Sequence, residues 1–389
     1  MKKIVILGGG FGGLYTALRL IDLNWTQQPQ ITIIDKNDRF VFSPLLYELV
    51  TEEIQSWEIA PSYTDLLANT PIQYLQDAVT DIDVNAQKVI LTGSSLNYDR
   101  LVIALGGTTP DEMVKGAKDY GIPFRTLENA YTLKEKLRML ENSDKEFIRV
   151  AIIGGGYSGI ELALKIADRL GNRGKIRIID RGNDILSKSS EFNQKTAKKA
   201  LNDRKIWLDL ETKIVEIEKD QITIEYKNKI DTIPVDAVMW TVGTKPIKLI
   251  NQLSLPQNSQ GKIDINSELQ VKQHPEIFAI GDLVECYDQD GKILPATAQV
   301  AFQQSDYCAW NIWASIEEKP LLPFQYQPLG EMLALGTQNA TLSGFGIYLN
   351  GNIAYLARRL IYLYRLPTFE HKLAVGLNWI TSPIASLIN

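Results

Sequence analysis

Ile4-Val5-Ile6-Leu7-Gly8-Gly9-Gly10-Phe11-Gly12-Gly13 is an apolar, β-branched run that stops on a glycine-rich turn. The pattern returns 146 residues later as Val150-Ala151-Ile152-Ile153-Gly154-Gly155-Gly156-Tyr157-Ser158-Gly159. Each turn opens a helix-compatible stretch, Leu14–Leu23 and Ile160–Leu170. A second strand-like run follows, Ile31–Ile34 and Ile176–Ile179, closing on Asp35 and Asp180. Strand, glycine turn, helix, strand is the βαβ unit that cradles a dinucleotide. The first glycine permits the tight turn, the second lets backbone approach a pyrophosphate, and the third lets helix and strand pack closely. The helix start adds unpaired N–H groups and roughly half a positive charge, and the closing acid can accept hydrogen bonds from a ribose. One such turn is a weak signal. Two, each with its acid, predict two dinucleotides on one chain and electron transfer between them.

Outward from the turns, Leu101–Leu105 ends in Gly106-Gly107 and Val235–Val242 ends in Gly243-Thr244, a second pair of matching strands. A helical stretch, Leu127–Leu140, leads into the second unit, and Ile214–Ile217 with Ile222–Tyr226 reads as a hairpin. Ile277-Phe278-Ala279-Ile280-Gly281-Asp282 is a buried strand ending in Gly-Asp. The predicted fold is α/β, with two Rossmann-like dinucleotide-binding domains, the second inserted into the first. The expected boundaries are 1–115 and 246–340 for the first domain, 116–245 for the second, and 341–389 for a C-terminal helical segment.

Composition is that of a folded protein, 45% hydrophobic and 22% charged over 389 residues. No window is apolar enough to predict a spanning helix. Met1-Lys2-Lys3 leads straight into a strand, which leaves no room for a signal peptide and predicts a chain that stays in the cytosolic compartment. Cys286 and Cys308 form no redox or zinc spacing, and two histidines are too few for a His-based metal site, so no metal is expected. A net charge of −5 argues against nucleic acid as a partner. Residues 341–389 nevertheless carry Arg358, Arg359, Arg365 and Lys372 against Glu370 alone, a basic tail on an acidic body, which suggests an anionic surface beside it.

The two turns and the Gly281-Asp282 strand end together resemble the flavoprotein fold of the glutathione-reductase type over roughly residues 1–300. Disulfide reductases of that fold carry a cysteine pair soon after the first βαβ unit. Here that region reads Phe40-Val41-Phe42-Ser43-Pro44-Leu45-Leu46-Tyr47-Glu48, without cysteine, which excludes a thiol relay and weakens a sulfide:quinone assignment. This segment, with Ala298-Gln299-Val300-Ala301-Phe302-Gln303, is similar to type II NAD(P)H:quinone oxidoreductases, single-subunit respiratory enzymes that do not pump protons. Phe42–Glu53, Trp240–Thr244 and Ala298–Trp310 look most like the photosynthetic-lineage branch, associated with plastoquinone or demethylphylloquinone.

The resemblance implies FAD on the first unit, at Gly8, Gly10, Phe11, Gly12, Gly13, Asp35 and Lys36. It extends that site to Pro44, Leu45, Val79, Ala104, Gly106, Gly281, Asp282 and Ala298. NADH or NADPH falls to Gly154, Gly156, Tyr157, Ser158, Gly159, Asp180, Arg181 and Gly243. Asp180 suits the 2′-hydroxyl of NADH, whereas Arg181 can pair with the 2′-phosphate of NADPH, so the residues leave the donor open. Gln299 and Gln303 lie four apart, hence on one helical face, where their amides can donate to quinone carbonyls. Packing on small residues with solvated glutamines gives the same pattern. Glu161, in the first turns of the second dinucleotide helix, reads either as a positioning or proton-linked group or as a carboxylate at a positive helix end.

From Ile353 the apolar positions 353, 356, 357, 360, 361 and 364 keep helical spacing, with Arg358, Arg359, Arg365, Tyr355 and Tyr362 opposite and Pro367 ending the run. An uncharged stretch, Leu373–Asn389, follows with Trp379 in it and a break expected at Pro383. A basic amphipathic helix with Tyr and Trp suits a membrane interface, and a helix packed in a homodimer or a core shows the same spacing. The resemblance favours the first, since a lipid-soluble quinone is collected from a membrane. The expected place is peripheral, on the cytoplasmic side of a thylakoid or plasma membrane. Two rival functions stay open: a flavoprotein reductase with a small iron–sulfur protein as acceptor, and a low-turnover flavin redox sensor.

Overall fold

A computed structural model describes residues 1–110 and 112–381, and the backbone of the last helix is assigned on to Ile388. Its frame is two sheets. The first runs Gln270–Val271, His274–Ala279, Arg100–Ile103, Lys3–Leu7, Gln30–Asp35, Gln73–Gln76, all parallel except the first pairing. The second runs Trp207–Asp209, Gly174–Ile179, Ile148–Ile153, Ala237–Trp240, Gly121–Pro123 and is wholly parallel. All five strands of the second sheet fall, in sequence, between two neighbouring strands of the first. Ile4 to Leu7 and Val150 to Ile153 are buried without alternation, because parallel strands are covered on both faces.

The long helices are α1 (Phe11–Ile21), α2 (Leu127–Glu141), α3 (Tyr157–Leu170), α4 (Glu191–Asp203), α5 (Ala298–Ile316), α6 (Gly351–Arg365) and α7 (Phe369–Ile388). Helices α1 and α3 each start three residues before the expected position, taking in the last residues of the glycine motif. The reason is contact: a Cβ on Gly13 would stand 1.8 Å from the Gly8 carbonyl oxygen, and one on Gly159 would stand 1.8 Å from that of Gly154. Low helix propensity at these positions is the condition for a tight strand-to-helix approach. Helix α5 lies along α1, with Tyr15 edge-on to Phe302 and Cys308 fully buried.

An antiparallel sheet, Glu331–Ala334, Ala340–Gly344 and Ile347–Asn350, docks on α3 and α4. Asn193 donates to Glu331 at 2.7 Å, and Asp168 accepts from both Arg204 and the Thr337 N–H. Helix α6 then packs with its polar side inward. Arg358 is fully buried, whereas Ile353 is 70% exposed, and Leu356, Leu360 and Tyr364 also face outward. The arginine face therefore does not carry Arg358 into solvent: ion pairs with the body hold it inside. Helix α7 is tied to α6 by Arg359 over the Trp379 ring at 4.3 Å. It is tied to the body by His371 and Asn378, which meet the backbone and side chain of Glu58. Leu373, Leu377 and Ile380 face outward. The break expected at Pro383 lies outside the described residues. Among the described residues no helix is long and apolar enough to cross a membrane.

Candidate active site

The two glycine turns are built alike. Gly8 has φ +95° and a Cβ there would lie 2.4 Å from the Ala104 carbonyl oxygen, so only glycine fits. The next residue, Gly9, donates its N–H to Asp35 Oδ2 at 2.7 Å, while Asp35 Oδ1 accepts from Asn37 N. In the second turn Gly154 has φ +114°, and Gly155 N donates to Asp180 Oδ2 at 2.6 Å. Asp180 Oδ1 accepts from Gly182 N. Both acids thus fix their own turn before any ribose is considered, which the sequence reading did not foresee.

Gly10 and Gly156 cap α1 and α3 without a side-chain hydrogen bond, and no acid stands in either first turn. A Cβ on either residue would meet nothing within 4 Å. Two uncapped helix starts, each facing open space across a glycine, fit the pyrophosphates of two dinucleotides.

Around the first turn the expected flavin contacts gather at strand ends. Ala104 and Gly106 follow Arg100–Ile103, and Gly281 and Asp282 follow His274–Ala279. Pro44 and the buried Leu45 sit in the turn Ser43–Leu49, Val79 begins the strand Val79–Asp83, and Ala298 opens α5. Lys36 is exposed just past Asp35. Phe11 packs with Tyr15, Phe40 and Phe42, and the cluster reaches Phe302 on α5 and Tyr362 on α6. Asp282, expected among the flavin contacts, is paired through Oδ2 with Arg125 at 2.9 Å, an arginine that also donates to Thr244. Around the second turn, Tyr157 donates to Ser189, Arg181 is exposed, and Gly243 is exposed at φ +68°.

Ser158 joins the two units. Its hydroxyl accepts from Tyr47 at 2.8 Å, and the Tyr47 ring packs on Phe124 at 5.1 Å. Glu161, one turn further along α3, is nearly buried and accepts from Ala334 N at 2.8 Å. Arg358 Nη2 stands 3.7 Å from it and Arg358 Nη1 pairs with Glu48, which also meets Lys165 at 3.3 Å. Burial pushes the Glu161 carboxyl up to about 7, with Arg358 and the Ala334 N–H only partly opposing. For Glu48, burial acts upward too, but Arg358 and Lys165 outweigh it and hold the carboxyl below its ordinary range. Sequence reasoning named Glu161 and missed Glu48, Glu53, Lys165 and Arg358 as its neighbours. Lys165 was discoverable: it lies four residues after Glu161 on the same helical face.

Gln299 and Gln303 share a face as expected, but both amides are engaged. Gln303 pairs with the backbone N–H and C=O of Gln327, each at 2.9 Å. Gln299 donates to Gly330 O at 3.2 Å and accepts from the Tyr326 hydroxyl. The two side chains hold the Pro320–Gly330 strap along α5 instead of standing free.

The family pattern described as pyridine nucleotide-disulphide oxidoreductase matches residues 2–305. The chain is 56% identical to the demethylphylloquinone reductase NdbB of Synechocystis, covering 98% of this chain and 96% of that one. It is 42% identical to the alternative NAD(P)H-ubiquinone oxidoreductase C1 of Arabidopsis thaliana, covering 97% and 80% respectively. In fold it is similar to NDH2 of Plasmodium falciparum solved with NADH, with a TM-score of 0.86, 18% identity and 98% of each chain covered. Two matched glycine cradles on two mainly parallel sheets, and relatives this similar over nearly the whole length, have one reading: the chain belongs to the pyridine nucleotide-disulphide oxidoreductase family.

Proposed function

We propose that this chain is an FAD-dependent NAD(P)H:quinone oxidoreductase that works at a membrane surface without pumping protons. Residues 1–115 and 246–340 form the flavin-binding domain, 116–245 the inserted NAD(P)H domain, and 341–389 the membrane-facing segment. The observation that carries the reading is the pair of uncapped, glycine-opened helix starts, joined through the Tyr47–Ser158 hydrogen bond. Bound flavin supplies the ability to take a hydride and release its electron pair to an acceptor, chemistry that no side chain here offers. The protein supplies position, exclusion of water and a proton source. Glu161, raised to about 7, can hold or release a proton near neutral pH.

The quinone path follows the aromatic cluster between α1, α5 and α6, with Gln299 and Gln303 fixing the strap that shapes it. The quinone class is the one named for the Synechocystis relative, a demethylated phylloquinone precursor, with plastoquinone as the second candidate. The outward apolar faces of α6 and α7 lie in the cytoplasmic-side membrane interface, next to which a lipid-soluble quinone arrives. A homodimer would cover the same faces instead.

Stopped-flow reduction of the flavin by NADH and NADPH, followed by reoxidation with a panel of short-chain quinones, tests the whole reading. Rapid reoxidation by quinones and none by small iron–sulfur proteins is expected. Colourless protein that takes up no flavin would refute it, and turnover slower than about one per second would favour a sensor.

A further inference from the structure

Three cations converge where α1 and α5 meet the corner between α6 and α7. The guanidiniums of Arg19 on α1 and Arg365 at the end of α6 both lie over the Phe302 ring, 5.9 and 4.6 Å from its centroid. Lys372 Nζ, from the first turn of α7, lies 5.3 Å from the centroid of the Tyr364 ring. Such contacts place the cations and neutralise none of their charge. The one carboxylate paired with them among the described residues is Asp306, which accepts from Arg19 Nε at 2.6 Å. The Arg365 and Lys372 side chains make no ion pair or hydrogen bond among the described residues. Burial, and after it the charge of Arg19, holds the Lys372 ammonium below its ordinary range, as cations gathered without a matching anion require.

We propose that Arg19, Arg365 and Lys372 form a binding site for the anionic headgroup of a single membrane lipid, a phosphodiester or a sulfonate. The inference rests on the membrane-surface reading and deepens it, by naming the residues that grip one lipid and the charge that lipid carries. Guanidinium forks and an ammonium are the donors that suit clustered anionic oxygens.

The surroundings select a lipid over a dissolved anion. Tyr364, directly before Arg365, is 77% exposed, and Phe369 at the start of α7 is 74% exposed. Leu373, directly after Lys372, also faces outward. A small anion bound to the cations would leave these apolar groups in water, whereas a lipid covers them with its acyl chains while its headgroup meets the charges. A second copy of the chain fits less well, because an isologous contact at this corner sets cations against cations. The site also has a consequence for access. Phe302, beneath both guanidiniums, packs edge-on against Tyr15 in the aromatic cluster that forms the proposed quinone path. A headgroup held here ties that cluster to the headgroup plane.

The test uses the full-length holoenzyme and dihexanoyl phosphatidylglycerol kept below its micelle concentration, which offers one headgroup and no charged surface. Binding is read by titration calorimetry, with dihexanoyl phosphatidylcholine and inorganic phosphate as comparisons. Wild type should bind the glycerol lipid at least about tenfold more tightly than either. Arg365→Gln and Lys372→Gln should each lose about tenfold or more, with flavin content and thermal midpoint unchanged, and Lys372→Arg should retain most of the affinity. Lys219→Gln with Lys229→Gln removes the same charge from the hairpin sheet of the second unit and should stay within about twofold of wild type, since charges beyond about 10 Å are screened. Equal affinity for the two lipids would overturn the site, as would unchanged binding in Arg365→Gln and Lys372→Gln. Phosphate bound as tightly as the glycerol lipid would overturn the lipid assignment. Co-sedimentation of wild type with vesicles of phosphatidylcholine and phosphatidylglycerol separates the two levels. Protein that sediments but binds no monomeric lipid would refute the headgroup site and leave the membrane-surface reading standing, whereas protein that does not sediment would refute that reading and the site with it.

Discussion

Gly156→Ala separates the nicotinamide site from the fold. An added methyl meets no heavy atom within 4 Å, and the residue's φ of −81° is open to alanine. Exchanging Gly for Ala at a helix N-cap costs about 1 kcal/mol or less. The methyl does occupy the space across which the turn's N–H groups would meet a pyrophosphate. Losing one hydrogen bond to a charged group costs about 1.5–3 kcal/mol, or about 10- to 100-fold in affinity. Gly159→Ala is the contrast, because its methyl would stand 1.8 Å from the Gly154 carbonyl oxygen and must force α3 off the strand. The assay is NADH affinity from the concentration dependence of stopped-flow flavin reduction, alongside flavin content and the thermal midpoint. Gly156→Ala should keep its flavin and its midpoint and lose NADH affinity, whereas Gly159→Ala should be unstable. NADH affinity within about twofold of wild type in Gly156→Ala would refute the cradle argument, since the steric estimate leaves no room for that result.

Glu161→Gln should remove a pH dependence of stability. A carboxyl raised from 4.5 to about 7 binds its proton more tightly folded than unfolded, so stability is full below about pH 4.5 and falls by roughly 3 kcal/mol as pH rises to about 7. Parallel stability–pH curves for wild type and variant would contradict this origin. Replacing Leu356 and Leu360 together with Glu touches only outward-facing positions. It should change stability by less than about 0.5 kcal/mol per site while abolishing co-sedimentation with anionic vesicles, and retained sedimentation would remove α6 from the membrane face. Gln303→Leu breaks both amide contacts to Gln327, roughly 2 kcal/mol together. It should speed proteolysis within 320–330 and slow quinone reoxidation without slowing flavin reduction, and equal slowing of both half-reactions would count against a strap.

The glycine motifs made the fold legible because their constraint is local. Gly8, Gly13, Gly154 and Gly159 are each required by atoms within a few residues or on the adjoining strand, so the spacing alone reports the geometry. The same holds for Asp35 and Asp180, which end the strand beside their turns. The roles of Gln299, Gln303 and Asp282 were less legible. Their partners, Gly330, Gln327 and Arg125, belong to segments with no periodic signal and no motif, and an amide or carboxylate in a sequence does not name its acceptor. The ionic cluster was hidden for a related reason: Glu48 and Arg358 lie 310 residues apart.

That distant pair decides which side of α6 faces the protein. Helical spacing of Ile353, Leu356, Leu360 and Tyr364 defines a seam but carries no sign, since a buried seam and an outward one are spelled identically. The sign comes from Arg358. An unpaired guanidinium is not tolerated inside, so the polar side can dock only because Glu48 is there to receive it. Glu48→Met should therefore cost about 3–5 kcal/mol by leaving a buried charge unpaired, and should loosen α6 as judged by hydrogen exchange over 351–365. Glu48→Met with Arg358→Met removes both charges together and should recover most of that stability. A double variant no more stable than the single one would show that α6 is oriented by something other than this ion pair. The outward apolar face, and the membrane role drawn from it, would then need a different cause.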